Sequence, residues 1–590
     1  MGPKRARFVG VGRLLANVRG QFDDDPTDVD VPFGEGAFQR LTLVAATLSS
    51  VAFLLHVDSF RLATRVMDHW CRRPADFASL SVSEWKSLAF PTEADGSPSQ
   101  CTVRNPPYGG LKALIVTCQE WEFNLTGRGD NIVSEWSLVC QRQRLIDMAV
   151  LVYIAACAVW LPLAGFAADH VGRRVVIRVP FVALLAAGFC TSLANLLRLF
   201  VFLRVVVWLS AHSLMLLLCE VLYEVSTSSR RLVYCYLAPA VTLTVVPLIL
   251  HAASHLEQGW RAFHLALMTP TTLLAAAFVV VDECPAWLVA SRRRAEAAQA
   301  ALKAARVNGF PEAECREWFK KADQRSGPRS SEIMANRNYI SMFVEGSRTR
   351  SMLLCYIWGA ATLSFGQLYV NDTFPLPQHV ALTGMHCQVP MCATVYTCVL
   401  AFGVKRTAVV LAMMYSSMSW TVAALYDAKR TLTCAILVVT LRMVGTASGA
   451  LLPLLTMQQY VPSLSWRAFV LTYALGKVGW SVSGMPYIYT HRYLRDITMA
   501  VVAILMAFVS VTLEHLPPTV DLQRRSRIER SRSSVSRCSS VAVAIDVRRS
   551  MQDSLVSLPK GPIKTRAKHV RQQDVMPQQH TLKISKMKNL

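Results

Sequence analysis

Apolar residues in this chain come in runs of about twenty, separated by connectors that hold most of its charge. A helix needs about 20 apolar residues to cross the hydrocarbon core of a bilayer. Twelve stretches qualify, near 38–57, 145–167, 175–197, 199–223, 232–252, 262–281, 351–370, 379–402, 408–426, 432–456, 468–490 and 497–515. Several enclose a proline or a polar residue. The pattern predicts an all-α membrane protein with a short N-terminal segment (1–37) and a first span (38–57). An outward loop (58–144) leads to spans two to six (145–282), and a second loop (283–348) to spans seven to twelve (349–516). A tail (517–590) ends the chain.

Composition agrees with a membrane chain: 53% of the 590 residues are hydrophobic and 17% charged, with a mean hydropathy of +0.32. The start is basic and glycine-rich rather than a compact apolar core, so no cleavable signal peptide is expected. Lys4, Arg5, Arg7, Arg13 and Arg19 place the N-terminus inside. Twelve spans return the C-terminus to the same side. The connectors made cytoplasmic in this way carry most of the loop arginines, with Lys429 and Arg430 the outward exception. The net charge of +23 is thereby assigned to loops and tail facing an anionic leaflet of the lipid bilayer, not to nucleic acid.

The outward loop holds Cys71, Cys101, Cys118 and Cys140, an even set that reads as two disulfides with three possible pairings. Two glycosylation sequons occur, Asn124-Leu125-Thr126 in the loop and Asn371-Asp372-Thr373 close to the bilayer. No paired cysteines or histidines have the spacing of a metal site. Phosphate-binding loops, nucleophile elbows and other catalytic motifs are missing, so neither a cofactor nor an enzyme activity is expected. The cytoplasmic run Ala286–Val307 predicts a surface helix, and the arginine- and serine-rich tail a solvated disordered segment.

Between the second and third spans lies Gly165-Phe166-Ala167-Ala168-Asp169-His170-Val171-Gly172-Arg173-Arg174. This tight turn resembles the signature of the major facilitator transporters. Further motifs narrow the resemblance: Asp68-His69-Trp70-Cys71-Arg72-Arg73-Pro74, Asn131 through Cys140, Glu224 through Arg231, Trp260-Arg261, and Glu283 through Leu288. Over residues 35–520 the chain resembles the organic cation, organic anion and carnitine transporters of solute carrier family 22. The resemblance implies the major facilitator fold, two pseudo-symmetric six-helix bundles around a midplane cavity. It implies alternating access at the plasma membrane for a small organic ion substrate, with an exchanged ion or proton. In that scheme Gly165, Asp169, Gly172, Arg173 and Arg174 form a cytoplasmic latch, with Glu220, Glu224, Glu283 and Arg231 as partners.

Lys477, deep in the eleventh apolar run, is the first substrate-binding candidate, because an ammonium inside the bilayer is costly. The resemblance places it where the family's anion and carnitine carriers are cationic. Arg442 in the tenth span is a second cation. Trp358, Phe365 and Tyr369 share one face of the seventh span, a stacking surface for organic groups. Tyr153 and Tyr223 are further aromatic candidates. The C-terminal half departs from the family: Phe402 through Thr407 lacks most of a second latch, and Gln388 and Gln458-Gln459 stand where acids are usual. Two functions follow. One is a carrier of anions or zwitterions, with a cation carrier as a variant needing an acid such as Glu220 in the cavity. The other is a transport-inactive, receptor-like protein acting through its outer loop.

Overall fold

The computed structural model describes residues 32–516, except 65–66, 94–95, 110–112, 126–129, 254–258, 281, 326–338, 344–346, 371–377, 426–430, 461 and 484–491. The expected tail and Asn371 lie outside the described residues. Each expected span is a long helix. In chain order, with the shorter elements, these are α1 (Ala37–Ala63), β1 (His69–Cys71), α2 (Val82–Ala89), β2 (Thr102–Asn105), β3 (Leu114–Thr117), β4 (Trp121–Phe123) and α3 (Ile132–Glu135). The other helices of the first half are α4 (Arg144–Val171), α5 (Arg173–Ser192), α6 (Leu197–Val225), α7 (Ser228–Ala253) and α8 (Trp260–Val280). Short helices α9 (Pro285–Ala290), α10 (Arg294–Asn308) and α11 (Glu312–Arg325) precede the second half. That half is α12 (Arg348–Val370), α13 (Gln378–Phe402), α14 (Val404–Leu425), α15 (Thr431–Gln458), α16 (Pro462–Ser483) and α17 (Arg492–His515).

Helix α1 packs on α6, α7 and α8, while α12 packs on α16 and α17, so each half has its own bundle. The halves meet where α4 lies against α16 and where α7 lies against α13 and α15. Helix α6 is buried around nearly its whole middle, from Ser210 to Leu218, as an apolar circumference requires. Two boundaries differ from expectation. Helix α1 runs six residues past 57, because an isolated charge at Asp58 does not stop a helix that still packs on its bundle. The single surface helix expected over Ala286–Val307 is broken into α9 and α10, with Arg292 in the left-handed region (φ 63°).

The outer loop is a small disulfide-bonded structure. Strand β1 pairs antiparallel with β4, and β2 with β3. Cys71 is joined to Cys118 and Cys101 to Cys140, with Cα separations of 5.5 and 5.7 Å, which selects one of the three pairings. Trp70 Nε1 donates to Glu122 at 2.9 Å, and Arg73 donates to the same carboxylate. Burial opposes ionisation of Glu122, but these donors together hold its pKa below the ordinary value. The motif closing the loop docks it on the bundle: Asn131 caps α3, and Glu135 forms an ion pair with Arg261 at 2.5 Å. Trp260 Nε1 donates to Glu135 at 2.6 Å, and Trp136 packs on Phe200 and Trp260. Asn124 lies exposed directly after β4.

Peptide mapping without reduction should recover Cys71–Cys118 and Cys101–Cys140 and no crossed pair. Removing the second bridge by Cys101→Ser with Cys140→Ser should destabilise the loop by about 2–4 kcal/mol.

Candidate functional site

A cavity of about 200 Å³ lies between the halves. Phe53, Asp58 and Trp208 reach it from one half, and Trp358, Tyr415 and Lys477 from the other. Lys477 is placed by a close approach of α16 to α12: a Cβ on Gly479 would run into the Gly359 carbonyl oxygen, so glycine is required there. Thr362 Oγ1 also donates to the Gly476 carbonyl across the same contact. The Lys477 ammonium sits over the Tyr473 ring at 4.8 Å and the Phe53 ring at 5.6 Å. Two aromatic faces suit a partly desolvated cation, each worth about 2 kcal/mol when water is excluded.

Trp358 lines the cavity, with Nε1 donating to Thr456 Oγ1 at 2.8 Å and its ring edge-on to Tyr473 at 5.4 Å. Phe365 and Tyr369 lie on the same helix, with side chains outside the described residues. Arg442 does not line the described cavity; it stands on α15 three residues before the lining Gly445. Tyr153 is buried in its own bundle against Phe60 and Trp208, behind the cavity wall. Asp58 went unremarked in the sequence because it follows directly on an apolar run and looks like the start of a loop.

The second feature is an ionic cluster where α4, α5, α6 and α16 meet. Its turn exists because Gly172 adopts φ 114°, and a Cβ there would meet the Glu283 carboxylate at 2.8 Å. Arg173 is buried and donates to Asp169 at 3.0 Å, to Glu224 at 3.0 Å and to the Ala168 carbonyl at 2.9 Å. Glu283 accepts the backbone N–H groups of Arg173 at 2.5 Å and Arg174 at 3.2 Å, capping α5 with a negative charge. Burial pushes the Glu283 carboxyl up, against the two N–H donors that favour its ionised form. The more exposed Arg174 guanidinium approaches Asp282 at 4.0 Å.

The cluster crosses between the halves. Asp169 accepts from Arg467 Nε of α16 at 2.7 Å, and Arg467 is buried. Trp466 Nε1 donates to the Gly165 carbonyl at 3.2 Å, and Glu220 is hydrogen-bonded to Ser465. Tyr339 fills the same seam, donating to the Pro162 carbonyl at 2.8 Å, with Arg467 over its ring at 5.8 Å. This end of the interface is therefore shut.

Arg231 and Tyr223 are not where the sequence reading put them. Arg231 donates to the carbonyls of Tyr223 and Ser226 and stacks on the Tyr223 ring at 4.8 Å, so both residues finish the C-terminal end of α6. Glu220, expected as a partner of the turn, lies in the cluster beside Arg173 and Ser465, and it is not among the described residues lining the cavity that the cation-carrier variant would need. Arg467 stands in the sequence as a cation after Gln458-Gln459-Tyr460-Val461-Pro462, but nothing there pairs it with Asp169.

The comparisons with known proteins carry the same architecture. No protein-family model matches the chain. It is 23% identical over 372 residues to solute carrier family 22 member 6 of Pseudopleuronectes americanus, covering 57% of this chain and 65% of that protein. It is 23% identical to the beta-alanine transporter of Drosophila melanogaster (58% of this chain, 61% of that protein). To the organic cation/carnitine transporter 2 of Homo sapiens it is 27% identical (48% of this chain, 55% of that protein). The chain thus spans less than two thirds of the length of these relatives. Among solved structures, the proton:xylose symporter XylE bound to 6-bromo-6-deoxy-D-glucose superposes with a TM-score of 0.58 at 13% identity, over 82% of this chain and 96% of that one. XylE from E. coli in a partially occluded inward open conformation gives 0.51 at 12% identity, over 81% and 98%. The chain is a multi-pass membrane protein with the major facilitator fold, and it is similar in sequence to solute carrier family 22 proteins. Its named relatives are transporters, not enzymes.

Removing one partner of a buried ion pair costs about 3–5 kcal/mol. Asp169→Asn should therefore loosen the shut end. A cysteine placed by Val470→Cys, which abuts Gly165 here, should react with a maleimide several-fold faster in that background by site-resolved mass spectrometry. Equal rates in the two backgrounds would show that the pair does not hold the halves together.

Proposed function

We propose that this protein is a plasma-membrane carrier of small organic ions, with the anionic group of the substrate held at Lys477. One observation carries the reading: an ammonium between two aromatic rings faces a cavity built from both halves. A carboxylate or sulfonate entering that cavity meets a charge already stripped of much of its water. The attraction is correspondingly stronger than at a surface. Trp358 offers a flat face for the organic part of the substrate.

In this reading the cluster around Asp169 and Arg173 is a cytoplasmic latch, and both chain termini are cytoplasmic. The outer loop, glycosylated at Asn124, faces outward. Alternating access proceeds when the Asp169–Arg467 pair and the Glu220–Ser465 bond break together and α4 parts from α16. The driving force is the gradient of the substrate or of an exchanged ion or proton. The named activities of the relatives support a small organic substrate.

Uptake of labelled organic anions, zwitterions and quaternary cations into cells expressing the wild type and Lys477→Ala, at matched surface amounts, tests the reading. Anion uptake should fall by about tenfold or more in the variant, the effect of losing a buried charge partner. Anion uptake left unchanged by the substitution would refute the role of Lys477. No uptake from protein at the surface would favour a receptor-like role for the disulfide-bonded loop.

A further inference from the structure

The cavity holds one charge of each sign. Among its described lining residues, Asp58 and Lys477 are the two charged side chains, and the remainder are apolar, aromatic or neutral hydroxyls. Asp58 stands five residues beyond Phe53 on α1, about 7.5 Å further along the axis at 1.5 Å per residue. Phe53 is the residue whose ring meets the Lys477 ammonium. The carboxylate and the ammonium line the same cavity, yet they come from opposite halves of the molecule.

We propose that Asp58 is the second half of the substrate site: it takes the ammonium or quaternary-ammonium end of a zwitterion whose carboxylate is held by Lys477. The proposal rests on the carrier reading given above and names its substrate class. A charge in poorly hydrated surroundings is costly unless compensated. A simple anion compensates Lys477 and takes from Asp58 the ammonium that balances it. A simple cation does the reverse. A zwitterion leaves both residues compensated, so the electroneutral cavity selects a net-neutral substrate through the mismatch it imposes on the others.

The arrangement also has a mechanical consequence. Asp58 belongs to the first bundle and Lys477 to the second, so a bound zwitterion ties the halves to each other across the cavity. A ligand shifts a conformational equilibrium only through different contacts in its two states. Contacts that depend on the distance between bundles meet that requirement, whereas a ligand held by one bundle does not.

Uptake of an ω-amino acid and a trimethylammonium carboxylate is compared with a monocarboxylate and an alkyl-trimethylammonium cation of matched length. The proteins are the full-length wild type, Asp58→Asn, Asp58→Glu and Lys477→Ala, at matched surface amounts. Asp58→Asn should lower zwitterion uptake by about tenfold or more while monocarboxylate uptake holds or rises. Asp58→Glu should keep the zwitterion preference, and Lys477→Ala should lose zwitterion and monocarboxylate alike. Equal loss of both substrates in Asp58→Asn would mean that Asp58 only positions Lys477, and would overturn the proposal while leaving the carrier reading intact. Unchanged zwitterion uptake in Asp58→Asn would overturn it in the same way. A wild type that takes up none of the four would end the carrier reading and this proposal together.

Discussion

Asp169 neutralises two guanidiniums at once, Arg173 from its own bundle and Arg467 from the other. Both arginines are buried, where an uncompensated charge costs several kcal/mol. The turn geometry, the close approach of α4 to α16 and the seating of Tyr339 in the seam all serve to keep that carboxylate between them. Gly172 belongs to the same constraint, since no side chain fits beside Glu283 where the carboxylate caps α5. Breaking the contact between the halves leaves Arg467 without its carboxylate, while Arg173 keeps Glu224. The cost of opening thus falls mainly on one residue.

That residue shares a helix with the cavity. Arg467 and Lys477 are ten residues apart on α16, about 15 Å along its axis. One rigid element therefore bears both the ion pair closing one end of the interface and the ammonium facing the central space. Its tight packing on α12, through Gly476 and Gly479, makes α16 move with its own bundle rather than alone. On the other side, α1 carries Asp58 at the cavity. Its opposite end is clamped by Asn308 of α10, which donates to the carbonyls of Phe33 and Gly34. Charges at the cavity and contacts at the shut end are thus mounted on the same few helices.

The C-terminal half carries a counterpart turn built differently. Its counterpart turn keeps the glycine, Gly403 at φ 82°, but its cations make peripheral contacts: Lys405 with the Leu516 carbonyl and Arg406 with Glu514. Gln388 is hydrogen-bonded to the Met443 carbonyl inside its own bundle. The backbone geometry of the turn survives without the ionic network, because a positive-φ glycine is enough to reverse the chain between two helices.

Twelve helices, the disulfide-bonded loop and the acid-and-arginine turn were legible in the chain, because each rests on local information: run length, cysteine parity, and glycine beside charge. Lys477 stood out for the same reason, a cation in an apolar run. Tertiary structure alone decided the rest. It chose Cys71–Cys118 and Cys101–Cys140 among three pairings, brought Arg467 to Asp169 across nearly three hundred residues, and turned Glu220 away from the cavity and Asp58 into it. Period and spacing tell which residues share a helix face. Which face meets which neighbour depends on the packing of two bundles, where a rotation of one residue, about 100°, exchanges a cavity position for a core position.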